Sequence, residues 1–125
     1  MQRPLELKLA VGFSSLVAAE NLLVTFLSRA ALGDGWILLM FFRTFVSIVI
    51  AVLLILAYNG NRWIRFIHAG FWVLGMIAIA STDPRLIRDY WVFGGLVLNA
   101  LAIAFWFHPK TNEWYRRARR VVPAA

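Results

Sequence analysis

"SIVIAVLLILAY", residues 47–58, is apolar on every face that a helix would present, with no charge and no turn former inside it. Strands of a membrane barrel alternate apolar and polar residues over about 10 positions, and a soluble amphipathic helix keeps one polar side. This stretch does neither, so it reads as a helix surrounded by lipid or by other helices. Followed backwards, the apolar run reaches Trp36 with Arg43 as its one charged residue. A helix rising ~1.5 Å per residue needs about 20 such residues to cross the hydrocarbon core.

Three more runs share that character: Leu9 to Ser28, where Glu20 is the one ionisable residue, Phe66 to Thr82, and Tyr90 to Phe107. Across all 125 residues, 62% are hydrophobic and 15% charged, and the mean hydropathy is +0.73. A soluble domain of this length needs more charge than that to cover its surface. Turn chemistry separates the runs at "LGDGW" (residues 32–36), "NGNR" (59–62) and "STDPR" (81–85). In the last of these, Asp83 is placed to cap and Pro84 to open a short helical turn. Trp36, Tyr58, Trp63, Tyr90, Trp91 and Trp106 stand near run ends, where amphipathic rings prefer the headgroup level. The expectation is an all-α integral membrane four-helix bundle forming one domain. Its helices fall at about residues 9–30, 36–58, 63–81 and 90–108, joined by short connections and followed by a basic amphipathic tail, 109–125.

Charge sets the expected topology. Arg3, Lys8, Arg62, Arg65, Lys110, Arg116, Arg117, Arg119 and Arg120 fall on one side, whereas Arg29, Arg43, Arg85 and Arg88 fall on the other among Asp34, Asp83 and Asp89. The positive-inside rule then places both termini in the cytoplasm. A rival reading takes "MQRPLELK", the apolar segment after it and Val17-Ala18-Ala19 as a signal peptide cleaved before Glu20. The apolar run continues through "NLLVTFL", however, and cleavage would leave a stub too short to cross, so the segment is expected to be retained.

The polar residues at membrane depth carry the functional question. Glu20 lies near the middle of the first helix, and Arg43 lies about one helical turn, ~5 Å, from the same depth on the second. A Glu20–Arg43 pair is therefore geometrically allowed. Asn99 on the fourth helix comes to a similar level beside Asn21, with Thr25 and Ser47 nearby. A lone charge at the bilayer centre costs ~2.5 to 3.5 kcal/mol on insertion scales, so this layer calls for pairing or neutralisation. Two readings follow: interhelical hydrogen bonding that holds the bundle together, or a carboxylate that moves protons. Ser14, Ala18, Asn21, Thr25 and Ser28 make a small-residue stripe on the first helix, and Gly95, Asn99 and Ala102 one on the fourth.

Cysteine is absent, so thiolate metal sites and disulfides are excluded. His68 and His108 both fall towards the cytoplasmic side and form the one pair able to hold a haem, but interfacial or packing roles suit them better, and neither a cofactor nor a metal is expected. Glycine-rich phosphate loops, nucleophile elbows and zinc-binding histidine pairs do not occur, so no enzyme is expected. In the tail, Asn112 is placed to cap a short helix with Trp114, Ala118 and Val121 on one face and Arg116, Arg117, Arg119 and Arg120 on the others. That arrangement suits an anionic leaflet, at ~1 kcal/mol per basic residue, better than a nucleic acid.

The turn "NGNRWIRF", with Gly60, Arg62, Trp63 and Arg65, and the ending "FHPKTNEWY", with its proline followed by Trp114 and Tyr115, resemble those of small four-helix bacterial inner-membrane proteins. The resemblance implies a non-enzymatic protein that binds another membrane component as an immunity or accessory protein, or a homo-oligomer. A glutamate after an alanine in the first of four helices also resembles the small multidrug resistance transporters, which implies proton-coupled efflux of lipophilic cations through Glu20. The aromatic and glycine pattern of those transporters is not matched by "FFRTFVSIVIAV" or "IHAGFWVLGMIA", and a cation at Arg43 would repel such substrates.

Overall fold

The computed structural model describes residues 2–82 and 90–121, and among these there is no strand. In chain order the elements are α1 (Leu5–Leu27), the single turn α2 (Arg29–Leu32), a 3-10 turn (Gly33–Gly35), α3 (Trp36–Tyr58), α4 (Trp63–Thr82), α5 (Tyr90–Trp106) and α6 (Pro109–Val121). The turn expected at Asp83 and Pro84 lies outside the described residues, as do Arg85, Arg88 and Asp89.

α1 begins earlier than the apolar run does. Pro4 is extended at φ −64° and ψ 153°, and the helix starts straight after it, taking in Glu6, whose charge suits the positive end of the helix dipole. It also ends earlier than expected, at Leu27, where the Ser28 N–H donates to Val24 O at 2.9 Å. The reversal into α3 passes through Gly33 at φ 59° and ψ −146°, a conformation that side chains disfavour. α3 closes in the same economical way. Gly60 N–H donates to Ala57 O (3.1 Å) and Asn61 N–H to Leu56 O (3.0 Å), the paired bonds of a Schellman ending, with Gly60 at φ 111°.

Apolar helices long enough to cross a bilayer make this a membrane protein. Two meet the length and composition requirement: α1, with a hydropathy of 1.6, and the stretch Arg29–Tyr58 carried by α3, with 2.6. α4, Trp63–Thr82, keeps the bounds expected for the third helix to within a residue, and among the described residues α5 reaches spanning length together with α6, across a bend of 51°.

Packing is concentrated at one end. α1 lies along α5 and α3, whereas α4 meets its neighbours over shorter stretches. Leu7, Ala10, Leu54, Ala57, Ile64, Ala102, Trp106, Trp114 and Tyr115 form one buried cluster where α6 folds back under the helices. Three ties fasten that end. Arg3 donates to Tyr58 O at 3.0 Å, Glu6 pairs with Lys110 at 3.1 Å, and the Tyr115 hydroxyl donates to Ala57 O at 2.7 Å.

Trp106, the last residue of α5, is fully buried within the protein, and its Nε1 donates to Ser14 Oγ at 3.2 Å. The cause is the elbow at Phe107 and His108, which swings α6 across the position that a continuing helix would have left open. Asn112, expected as a cap, sits inside α6, where it donates to Phe107 O at 2.9 Å and accepts from Arg65. Pro109 takes the first position of α6, where its missing N–H costs nothing.

Candidate functional site

Glu20, Asn21, Arg43 and Asn99 line one cavity of about 240 Å³, together with Val17, Val24, Val92, Gly95 and Leu96. Helical arithmetic along α1, α3 and α5 accounts for their common depth. Their pairing is different from what that depth allowed. Arg43 Nη1 donates to Asn21 O at 3.1 Å and to the Thr25 hydroxyl, and Thr25 Oγ1 in turn donates to Asn21 O at 2.8 Å. The guanidinium is thus satisfied by the backbone and hydroxyl of α1. Among the described residues the ion pairs are Glu6–Lys110 and Glu113–Arg117, and Glu20 has no cation in pairing range.

The interhelical role expected of Asn21 also falls to its backbone. Its side-chain amide donates to Val17 O of its own helix at 3.1 Å. Thr25, by contrast, is 1% exposed and makes the α1–α3 connection. Glu20 leans on α5: a Cβ built on Gly95 would stand 2.9 Å from Glu20 Oε2. The Gly94-Gly95 doublet at the depth of Glu20 is the sequence signal for this berth.

A larger cavity of about 450 Å³ adjoins the first through Val17, Asn21 and Asn99. Ser14 and Ala18 of α1, Phe45 to Leu54 of α3, and Ile64, Ile67, His68, Phe71 and Trp72 of α4 complete its wall. It lies where α4 stands away from α1. Two residues of that wall carry a buried nitrogen, His68 Nε2 and Trp72 Nε1, with no hydrogen-bond partner among the described residues. The sequence flagged His68 for a different purpose and did not flag Trp72.

The two histidines sit in separate settings. His68 borders the large cavity, with its ring 6.5 Å from that of Trp106, while His108 occupies the elbow and accepts from Lys110 N–H at 3.3 Å. Among the described residues no three His, Cys, Asp or Glu side chains gather as metal ligands would.

Arg65 supplies a feature that the sequence read only as a topology signal. It is buried, donates to Trp106 O at 3.2 Å and to Asn112 Oδ1, and has the rings of Phe66, Phe107 and Tyr115 at 5.1, 5.0 and 5.0 Å. Aromatic faces and a carbonyl thus take the place of a counter-ion. On α6, Thr111, Trp114 and Tyr115 face inward, leaving Arg116, Arg117, Arg119 and Arg120 exposed, with Arg117 paired to Glu113.

No protein-family model, curated protein or solved structure matches this chain.

Proposed function

We propose that the protein is a non-enzymatic, multi-pass protein of the bacterial cytoplasmic membrane that acts by helix-mediated binding to another membrane component, in the manner of an immunity or accessory protein. The observation that carries this reading is the outward face of α3. Leu38, Phe41, Phe42 and Phe45, spaced as one helical stripe, are 77, 75, 63 and 65% exposed. Aromatic side chains present large contact areas at little entropic cost, which suits a helix-to-helix interface in lipid.

The reading includes four crossings with both termini inside. It is supported by the way the N-terminal segment, the α3–α4 turn and α6 are tied together at the end that carries Arg3, Arg62, Arg65 and Lys110. A photoreactive amino acid at Phe41 or Phe45 should give one discrete protein adduct in native membranes. Adducts to lipid alone would overturn it.

A second reading, proton-coupled transport through Glu20, is favoured by one finding. Arg43 is held by Asn21 and Thr25, which leaves the carboxylate beside the smaller cavity without a paired cation among the described residues. Glu20→Gln should then abolish proton-coupled efflux at unchanged expression; retained efflux would dismiss it.

A further inference from the structure

The larger cavity combines three properties that separate it from a packing fault. Its volume, about 450 Å³, falls within the ~300 to 1,000 Å³ of small-molecule sites. Its wall is dominated by aliphatic and aromatic side chains, among them Phe45, Ile50 and Phe71. It is also bordered by two of the four buried side-chain nitrogens without partners among the described residues, His68 Nε2 and Trp72 Nε1, one helical turn apart on α4; the other two, Arg65 Nε and Trp114 Nε1, lie elsewhere. A buried donor left unpaired carries a desolvation cost of ~1 to 3 kcal/mol. Trp72 Nε1, a donor in every state of the indole, therefore points to a bound acceptor.

We infer that this cavity binds an uncharged, membrane-dissolved molecule with a rigid apolar body and a carbonyl acceptor, which takes a hydrogen bond from Trp72 Nε1 while His68 Nε2 meets a polar atom beside it. The indole nitrogen is a donor only, so its partner must be an acceptor, and neutral imidazole can serve either way. Both nitrogens are covered by the protein itself, so binding requires each ring to turn about its Cβ–Cγ bond and present its nitrogen to the cavity. Charge is ruled out because an ion in this wall would have no compensating partner.

Depth distinguishes such a molecule from an ordinary lipid. Trp72 lies nine residues beyond Trp63, ~14 Å along α4, which is close to the middle of a hydrocarbon core ~30 Å thick. The ester carbonyls of a phospholipid are tethered to its headgroup at the interface and do not reach this level. A neutral ketone or quinone without a headgroup does. The inference rests on the reading of the protein as a binder within the bilayer, and names a small ligand beside the protein partner.

The test uses the full-length protein in phospholipid nanodiscs, photolabelled with benzophenone, whose reactive group is itself a ketone, and mapped by mass spectrometry. Saturable labelling is expected on Val49, Ile50 and Leu53 of α3 and on Ile67, His68 and Trp72 of α4. Fluorenone should compete roughly two- to tenfold better than fluorene, which has the same ring framework without the carbonyl; that ratio corresponds to one neutral hydrogen bond. Trp72→Phe should bring the ratio close to one, and Ile50→Trp, which fills the cavity, should abolish saturable labelling. Equal competition by fluorene and fluorenone in the unaltered protein would overturn the inference, as would labelling spread evenly over the lipid-facing side of α3. Because the ratio is read in the unaltered protein, a poorly folded variant does not blur the result. Failure here with a discrete adduct at Phe41 would remove the small ligand and leave the protein partner standing.

Discussion

Gly95 of α5 leaves open the space that the Glu20 carboxylate of α1 fills: a Cβ on Gly95 would meet Oε2 at 2.9 Å, and one on Gly94 would meet Oε1 at 4.0 Å. A carboxylate in a membrane helix is thereby laid against the backbone of its most extensive packing partner. The close approach depends on the absent side chain.

Gly95→Ala should be tolerated, because the carboxylate is the free end of a flexible side chain and can swing aside. Replacing a mid-helix glycine with alanine also gains ~0.5 to 1 kcal/mol, so unfolding in detergent should shift by less than about 1 kcal/mol. Gly95→Leu has no such escape and should cost ~1 to 3 kcal/mol by overpacking. Adding Glu20→Ala should restore part of that loss; no recovery would mean that Glu20 is not the obstructed group.

The common depth of Glu20, Asn21, Arg43 and Asn99 was legible from run boundaries and a fixed rise per residue, and so were the turns at Gly33 and Gly60. The choice of partners was not. Arg43 can reach either Glu20 or the α1 backbone, and that outcome depends on rotamers and on a buried threonine hydroxyl, neither of which has a sequence period. The burial of Trp106 was not legible either, because a run-end tryptophan gives no sign of what covers it until the chain beyond is known to fold back at Phe107. The cavity beside His68 and Trp72 arises from α4 standing away from α1, a packing property that no single helix encodes.

Charge coupling between Glu20 and Arg43 should be weak. In a double-mutant cycle, Glu20→Gln with Arg43→Gln should give an interaction energy below about 0.5 kcal/mol, whereas Thr25→Val with Arg43→Gln should give about 1 kcal/mol or more. Equilibrium unfolding of the single and double variants measures both. The reverse order would place the guanidinium on the carboxylate.

Gly60→Ala should lower stability by about 1 kcal/mol or more. The residue sits at φ 111°, where a Cβ is strained, and its N–H closes the end of α3. The added methyl would stand 3.8 Å from Ala118 Cβ, an ordinary van der Waals contact, so α6 should stay in place. Unchanged proteolysis of the tail beside a lowered global stability would separate backbone strain at Gly60 from a loss of packing.

Tyr115→Phe should cost ~1 kcal/mol, since it removes the 2.7 Å bond to Ala57 O and leaves that carbonyl with the Gly60 N–H alone. Burial pushes the Tyr115 hydroxyl above its ordinary value, with Arg65 opposing more weakly. The folded chain therefore favours the neutral phenol. Its contribution is complete below about pH 10, the usual tyrosine value, and diminishes as pH rises past it. Stability measured from pH 8 to 11 should fall more steeply in the unaltered protein than in Tyr115→Phe.

The exposed arginines of α6 should enrich anionic lipid around the protein unequally. Among the described residues Arg116, Arg119 and Arg120 have no carboxylate partner, whereas Arg117 is paired with Glu113 one turn earlier. Each free cation near an anionic leaflet contributes ~1 kcal/mol, or about fivefold in local lipid enrichment. In mixed nanodiscs carrying fluorescent phosphatidylglycerol, energy transfer from the protein should drop clearly with Arg116→Gln, Arg119→Gln or Arg120→Gln and less with Arg117→Gln. Glu113→Gln should raise it by releasing Arg117, and added salt should compress all these differences, because the Debye length shrinks to ~3 Å at 1 M. Equal effects at all four arginines would show that the Glu113 pair does not persist at the membrane surface.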